Sequence, residues 1–386
     1  MLELLRLKEE SQKKLRELVG AEGARKAARN PHAKRRPRPC GVTVHPGFGC
    51  PNRCLYCYVE DMVSGRVRAN AQPVPCSLTG LEMAFALASN PYFLPGGMGT
   101  FIALGAVCDP LHPTLLEKTL DYLAAFRRHL GNPTQFSTKM HVDPYTAGCI
   151  ADANESVSPL VTVVTLSLAG RLEPGAPTPW ERLDGIRNLR EAGLKPMLFL
   201  RPLIPGVSDE EVDDLLTEAK GAGAVGVVVG ALRVSQPILR RLERAGVDTT
   251  EIRRRLGRPV GSRLITVASP ELKSEALSIA REKGLIPFAS ACCANAYTSG
   301  VPCAGLCWLT GFCTKCPNRC WEKLPEVDEG EVREALRLLL HVDPVEVDVE
   351  EWVIRIRVPR GVKAPDLQRC RVLMRVATRR DVIFTR

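Results

Sequence analysis

The stretch GVTVHPGFGCPNRCLYCY, residues 41–58, joins a short apolar run to three closely spaced cysteines. The run 41–44 predicts a strand, and Cys50, Cys54 and Cys57 follow it in a loop. Closed zinc sites take four nitrogen or sulfur ligands, and ordinary iron–sulfur clusters take four thiolates. The three cysteines therefore indicate either a site closed by a distant fourth ligand or a [4Fe-4S] cluster that keeps one iron open. The candidates for a distant ligand are Cys40, Cys76 and His45.

Outward from this stretch, the chain repeats a pattern of a strand followed by a helix. The further apolar runs that predict buried strands are 100–107, 135–138, 161–168, 196–200 and 225–231. Helical spacing of apolar residues marks 115–130, 144–154, 180–192, 209–222, 237–245, 249–256 and 270–283. Strands without polar alternation, separated by helices, indicate a parallel sheet covered by helices. Six such units predict an α/β fold with a full or partial (β/α) barrel. The chemistry of such barrels lies on the loops after the strands, where the cysteine loop falls.

Seven further cysteines fall within residues 292–320. Clustered thiols in a chain without a secretion signal indicate metal ligation rather than disulfides. The predicted ligands of this second metal are Cys313, Cys316 and Cys320 together with Cys303 or Cys307. Thiolates suit both zinc and iron, so the sequence leaves zinc and an auxiliary iron–sulfur cluster open. The roles of Cys292 and Cys293 also stay open.

The chain divides into four predicted domains. They are a basic N-terminal helix and tail (1–39), the barrel (40–290), a Cys-rich metal-binding segment (291–323) and a small basic α+β domain (324–386). In the last domain, helical spacing predicts a helix at 331–340. Apolar runs there predict strands at 345–349, 352–358 and 371–376.

Charge and hydropathy bear on location and partners. The formal net charge is +10, and residues 1–38 hold twelve Lys/Arg against five Asp/Glu, a net of +7. A basic segment of this kind indicates either contact with a polyanion such as nucleic acid or a solvated tail. There is no run of eighteen apolar residues, and residues 1–18 predict an amphipathic charged helix rather than a signal peptide. We therefore expect a cytoplasmic protein without membrane contact.

The three-cysteine motif, with an aromatic residue beside its last cysteine and a strand before it, resembles the radical S-adenosylmethionine (SAM) superfamily. Other motifs recur in order and are similar to the spore photoproduct lyase and DNA-repair-photolyase-like branch of that superfamily. They are His45-Pro46, Asp109-Pro110, Ser137-Thr138-Lys139, Leu166-Ser167, Leu172-Glu173-Pro174 and the stretch from Arg201 to Asp209. The resemblance covers roughly residues 40–245.

The resemblance implies a [4Fe-4S] cluster in which Cys50, Cys54 and Cys57 hold three irons. SAM would chelate the fourth iron through its amino and carboxylate groups, which accounts for the missing ligand. Reductive cleavage of SAM would give a 5′-deoxyadenosyl radical that abstracts hydrogen, and this chemistry belongs to the cofactor. An electron donor such as ferredoxin or flavodoxin is then an expected partner.

The resemblance also implies cofactor contacts for single residues. It places Tyr58 near the adenine of SAM and directs Lys139 and Ser167 to the polar part of SAM. Glu173 and Arg201 are rim charges that face either SAM or substrate. A lysine at the carboxyl end of a strand suits this role, because it can pair with a carboxylate in a dry site.

The end of the second strand departs from the usual superfamily pattern. Many radical SAM enzymes carry Gly-Gly-Glu there to hold the amino group of SAM, whereas this chain reads GAVCD at residues 105–109. Recognition of the amino group then falls to backbone carbonyls and Asp109. Cys108 is either the donor that returns hydrogen to a product radical or a buried structural thiol.

Three functions follow from these observations. The first is a photoproduct-lyase-like radical SAM enzyme that acts on nucleic acid, which the basic termini favour. The second is radical modification of a protein or peptide with an auxiliary iron–sulfur cluster, which the second cysteine group favours. The third is a zinc-bound nucleic-acid-binding protein without catalysis, which leaves Lys139 and Ser167 unexplained.

Overall fold

The computed structural model describes residues 1–38, 41–62 and 71–386, and Cys40, one candidate for a distant ligand, lies outside these ranges. The strands are β1 (Gly41–Val44), β2 (Gly47–Phe48), β3 (Val74–Pro75), β4 (Phe101–Leu104), β5 (Thr134–Thr138), β6 (Ser158–Thr162), β7 (Met197–Leu203), β8 (Gly226–Ala231), β9 (Arg233–Val234), β10 (Ile265–Thr266), β11 (Ile286–Phe288), β12 (Glu346–Val349), β13 (Val353–Arg357) and β14 (Asp381–Thr385). The helices are α1 (Leu2–Arg29), α2 (Val59–Met62), α3 (Gly80–Ala88), α4 (Pro113–His129), α5 (Pro144–Ala153), α6 (Ala169–Leu172), α7 (Pro179–Glu191), α8 (Val212–Gly221), α9 (Gln236–Arg244), α10 (Thr250–Leu256), α11 (Pro270–Glu282), α12 (Ala291–Ser299), α13 (Glu329–Leu340) and α14 (Ala364–Thr378).

Seven strands form one parallel sheet in the order β1-β4-β5-β6-β7-β8-β11. The six predicted strands supply the first six positions, and β11 adds a seventh. Within the described part of the chain β1 and β11 do not pair, so the fold is a partial rather than a full (β/α) barrel. Because neighbouring strands run in parallel, the loops after them gather at one end of the sheet.

Apolar side chains bury the sheet against its helices. Phe136, Leu198 and Val227 from the strands are fully buried. Tyr122 and Phe126, four residues apart on α4, pack into the same core. Each side chain of this size contributes about 1.5–3 kcal/mol when it is buried. The helices therefore hold the strand ends, and the loops after them, in fixed positions.

The strand predicted at 161–168 is shifted toward the N-terminus, because β6 ends at Thr162. The residues after it bond to a side chain instead of to a strand. The Thr165 hydroxyl and the Leu166 amide donate to the Glu211 carboxylate at 2.6 and 2.7 Å. The buried run therefore continues as a loop at the end of the sheet.

The C-terminal residues form a three-stranded sheet, β12-β13-β14, covered by α13 and α14. The predicted strand at 371–376 is wrong, because these residues belong to α14. Cys370, Leu373, Met374 and Ala377 are buried at helical spacing, which places all four on one face. The third strand is β14, which pairs in parallel with β13.

The terminal elements contact one another. The Met1 amine pairs with Glu331 of α13 at 2.6 Å, and α1 packs along α3. From α14, Arg375 donates to the carbonyls of Ala304 and Gly305 at 3.1 and 3.2 Å.

The domain boundaries at 39, 290 and 323 stay predictions. No helix in the described part of the chain is long and apolar enough to cross a membrane.

Candidate active site

The loop that carries Cys50, Cys54 and Cys57, named the cysteine loop here, is fastened to the segment after α6. The Leu55 amide donates to the Leu172 carbonyl at 2.8 Å, and the Gly175 amide donates to the Asn52 carbonyl at 3.0 Å. The Leu172-Glu173-Pro174 motif therefore lies where the backbone supports the cysteine loop: the Leu172 carbonyl accepts one bond, and Gly175, directly after the motif, donates the other.

Gly175 has no room for a side chain, and we expect Gly175→Ala to displace the cysteine loop. A Cβ at this position would lie 2.2 Å from the Pro51 carbonyl oxygen and 3.0 Å from the Asn52 Cα, and neither backbone atom can rotate away. The free energy of unfolding, measured in urea, should fall by about 1–3 kcal/mol, as for other overpacked sites.

Gly170→Ala in α6 is the matched control for this substitution, because a Cβ there would meet no atom within 4 Å. It should leave the free energy of unfolding unchanged or raise it slightly, since alanine is the better helix former. Equal losses in the two variants would contradict the assigned role of Gly175.

Asp109, which follows β4, ties the cysteine loop to the end of β5. Its Oδ1 accepts from the Thr138 hydroxyl at 2.7 Å and the Leu111 amide at 3.1 Å. Its Oδ2 accepts from the Lys139 amide at 2.7 Å and the Asn52 side chain at 3.4 Å. Both carboxylate oxygens of Asp109 therefore accept two hydrogen bonds each, and these bonds hold the cysteine loop and the end of β5 together.

The other end of the cysteine loop is held from α9. Arg241 donates to the carbonyls of Leu55 and Cys57 at 3.0 and 2.9 Å. It also pairs with Asp61 at 3.4 Å. The sequence gives no local signal for this residue, because it lies more than 180 positions from the carbonyls that it contacts.

A buried charged network stands behind the cysteine loop. Glu173 is 1% exposed and pairs with Arg182 of α7 at 2.5 Å. It also accepts a short hydrogen bond from the Tyr56 hydroxyl and lies 3.8 Å from the Lys139 ammonium. Burial lowers the pKa of Lys139, but the neighbouring Cys54 and Glu173 outweigh it and the pKa is raised overall. Lys139 therefore stays charged at neutral pH.

Cys50, Cys54 and Cys57 line one cavity of about 760 Å³, within the range of small-molecule sites. Other predicted site residues on its wall are Tyr58, Cys108, Asp109, Lys139, Arg201 and Cys307. Of the described residues predicted to contact SAM or substrate, Ser167 and Glu173 do not line it. The exposed Ser167 donates its amide to Glu211 at 3.1 Å, and Glu173 lies behind the wall.

The donor set fits a thiolate-bound cluster with an open position. Burial raises the pKa of Cys50 to about 11 and that of Cys54 to about 12, and the neighbouring Cys57 thiol raises both further. A metal would displace these protons on binding. Among the described residues, no three Cys, His, Asp or Glu side chains are already arranged to hold a metal ion.

About two thirds of the chain is similar in fold to known structures. These are structures of spore photoproduct lyase. A mutant of that enzyme with dinucleoside spore photoproduct has a TM-score of 0.53 and 15% identity, and covers 67% of this chain and 79% of its own. A second mutant, with bound AdoMet and dinucleoside spore photoproduct, has a TM-score of 0.52 and 17% identity at the same coverage. This likeness concerns the fold, and no family model matches the sequence.

The sequence relatives are uncharacterized proteins. One from Mycobacterium bovis and two from Mycobacterium tuberculosis are 27% identical over 208 residues, which is 51% of this chain. A fourth, from Acidianus two-tailed virus, is 24% identical over 204 residues, which is 48% of this chain and 64% of its own length. The chain spans 60% of the length of the mycobacterial relatives that it matches.

Unlike the mixed charges elsewhere, the charges along the cavity wall are mostly positive. Arg38, Arg53, Arg201 and Arg233 are exposed there, and Lys139 lies deeper. Among the described residues of the wall, Asp109 is the one carboxylate. The guanidinium of Arg233 also lies over the Tyr58 ring, 5.5 Å from its centre. A cavity wall lined by exposed arginines attracts phosphates and other anions.

The second set of cysteines separates into two groups. One comprises Cys292, Cys293 and Cys307 near the cavity. Ser290 Oγ lies 3.1 Å from the sulfur of Cys292 and 3.4 Å from that of Cys293, and a hydrogen bond with Cys293 raises the pKa of Cys307. The other group comprises Cys303, Cys313, Cys316 and Cys320. Cys307, predicted as a ligand beside Cys313, Cys316 and Cys320, is hydrogen-bonded to Cys293.

Proposed function

We propose that the protein is a radical SAM enzyme in which Cys50, Cys54 and Cys57 hold a [4Fe-4S] cluster. The observation that carries this proposal is the meeting of the three thiols with Tyr58 and Lys139 on one cavity wall, at the same end of the parallel sheet. The likeness in fold to spore photoproduct lyase supports it. When bound, the cluster and SAM together supply a 5′-deoxyadenosyl radical that removes a hydrogen atom from the substrate.

The chain's own residues position these groups. Tyr58 offers an aromatic face to the adenine of SAM, and Lys139 offers a charge to its carboxylate. Asp109 and Glu173 act indirectly, through their contacts with other protein residues. Asp109 fixes the positions of the loops, and Glu173 holds the side chains of Lys139 and Tyr56 in place. Ser167 points to Glu211 rather than to the cavity, so it is left out of this proposal.

Cys108 has the protonation state that a hydrogen-atom donor requires. It lines the cavity and is 5% exposed, and burial raises its pKa to about 12. The sulfur therefore keeps its hydrogen at neutral pH, as a donor to a product radical must. Its transfer would convert the product radical into the product and leave a thiyl radical on Cys108.

The substrate that the surface favours is a nucleic acid. Four exposed arginines line the cavity, and a basic N-terminal segment adds further positive charge. Spore photoproduct lyase has been solved with a dinucleoside photoproduct, which agrees with this choice. Radical modification of a protein or peptide is the second candidate, favoured by the Cys-rich segment. In either case a one-electron donor such as ferredoxin or flavodoxin is required.

A second metal is proposed at Cys303, Cys313, Cys316 and Cys320. Four thiolates suit both zinc and an iron–sulfur cluster. The zinc, iron and sulfide content of the protein identifies which of the two is bound. Cys313 and Cys320 lie close enough to Cys316 that each raises its pKa beyond the effect of burial. This proximity supports the choice of these four thiols. Cys307 is better assigned to the group with Cys292 and Cys293.

The proposed function is tested by anaerobic reconstitution with iron and sulfide, followed by SAM and a reductant. We expect bound iron and formation of 5′-deoxyadenosine. Binding to a short single-stranded oligonucleotide should weaken steeply with salt, because phosphate contacts release counterions. Zinc alone, without SAM cleavage, would leave a metal-bound binding protein. SAM cleavage with salt-independent binding would favour the peptide substrate.

A further inference from the structure

The cavity wall carries a buried amide without partners. Asn295, on α12, is 1% exposed and lines the cavity. Neither its Nδ2 nor its Oδ1 atom has a hydrogen-bond partner in the structure. A buried donor and acceptor left unpaired are costly, so the site calls for a ligand that satisfies both.

A second amide lies on the same wall. Gln135 of β5 is 9% exposed, and its Oε1 is also buried without a partner. Gln135 pairs in register with Ser158 of β6, and the Ser158 hydroxyl accepts from Thr298 of α12 at 3.3 Å. Thr298 lies one helical turn after Asn295. These contacts bring the strand that carries Gln135 and the helix that carries Asn295 to the same part of the cavity.

The surroundings of the two amides are apolar. Phe101, Leu160 and Phe199 line the cavity with them. The arginines of the same wall are exposed, whereas the amides are buried. The cavity therefore has a cationic outer part and an inner part that combines apolar surface with one donor and two acceptors.

We propose that Asn295 and Gln135 bind the edge of one nucleobase that enters the cavity while its phosphates stay at the arginines. Side-chain amides pair with base edges that present an adjacent donor and acceptor, and the apolar wall accepts the faces of the ring. A base can enter only when it is outside a stack, so the substrate is single-stranded or has its nucleotide flipped out. The inference rests on the proposed nucleic-acid substrate and is independent of SAM cleavage.

A peptide amide also offers a donor and an acceptor, but the charges favour the nucleotide. The cavity wall has four exposed arginines, and Asp109 is the one carboxylate among its described residues and is fully hydrogen-bonded. Phosphates complement this charge, whereas a neutral peptide backbone does not.

The test uses fluorescent DNA heptamers that are abasic throughout or carry one central base, either A, C, G or T. All five probes have equal charge. The wild type should bind at least one single-base probe about tenfold more tightly than the abasic probe, as expected for an amide–base pair. Asn295→Leu and, separately, Gln135→Met should reduce this preference several-fold while abasic binding persists.

Thermal unfolding shows whether each variant is folded. Asn295→Leu removes two unpaired polar atoms and should melt no lower than wild type. Gln135→Met tests the base preference a second time, at a different residue. The proposal is overturned if wild type binds no probe, if it shows no preference for a base, or if the preference survives both substitutions, in which case the amides bind water. It is also overturned if a capped asparagine peptide binds more tightly than every oligonucleotide.

SAM cleavage by the same wild-type preparation separates this inference from the proposed function. Cleavage without a base preference would refute the inference and leave the radical enzyme standing. A base preference without cleavage would refute the radical enzyme and leave the base-binding site standing.

Discussion

Replacement of Cys50, Cys54 and Cys57 together by alanine is expected to remove about four irons per chain and to abolish 5′-deoxyadenosine formation. All three thiols open into the cavity, and residues 50–57 contain no other Cys, His, Asp or Glu that could replace them. The measurement is iron, sulfide and zinc per chain after anaerobic reconstitution, with 5′-deoxyadenosine quantified after addition of SAM and reductant.

Cys149→Ala is the control, because this half-buried thiol lies outside both cysteine groups and the cavity wall. Iron content and SAM cleavage should match wild type. Metal that remains in the triple variant identifies the second site: iron with sulfide indicates an auxiliary cluster, and zinc a structural site. Full iron and full SAM cleavage in the triple variant would refute the assignment.

Arg182→Met is expected to lower the free energy of unfolding by about 3–5 kcal/mol, because it leaves the Glu173 carboxylate buried without its closest cation. Arg182 is fully buried and also donates to the carbonyls of Pro177 and Thr162 at 2.8 and 3.1 Å. These two acceptors would lose a donor as well. The measurement is the urea unfolding curve at neutral pH.

Arg187→Met on the same helix is the matched control. Arg187 pairs with Asp184 at 2.8 Å, but both side chains are about half exposed, so its loss should cost about 1 kcal/mol or less. Glu173→Gln/Arg182→Met should recover part of the stability lost in Arg182→Met, because no unpaired carboxylate remains. Similar losses in Arg182→Met and Arg187→Met would show that the network contributes little.

The sequence predicts the local features of the site well. The bounds of β1 are as predicted, and the cysteine loop follows it at the end of the sheet. Lys139 and Asp109 also lie at the strand ends that their motifs indicate. In each case the information is local, because an apolar run fixes the strand and the adjacent polar residues must then fall in the loop after it.

The supports of the site come from distant parts of the chain, and spacing cannot predict them. Tyr56 reaches Glu173, and Arg241 reaches the carbonyl of Leu55, across intervals of 117 and 186 residues. Nothing near these residues in the sequence indicates their partners. Only the folded arrangement of α6 and α9 around the sheet brings them together.

Short or ambiguous apolar runs account for the missed elements. The seventh strand, β11, has three residues and contains Pro287, so its signal is weak. The run 371–376 contains valine and leucine, which suit a strand, yet helical burial decides its structure. In α12 the adjacent Cys292 and Cys293 indicate metal binding, and no local pattern in the sequence marks Asn295 as a binding residue.

The wall of the cavity combines residues that precede the last strand of the sheet with a short segment beyond it. The residues proposed for the cofactor lie between Cys50 and Arg201, as does Gln135, whereas residues 290–307 contribute Asn295 and two cysteines. Changes confined to residues 290–307 can therefore alter one of the two proposed base-binding amides while Gln135 and the residues proposed for the cofactor stay the same.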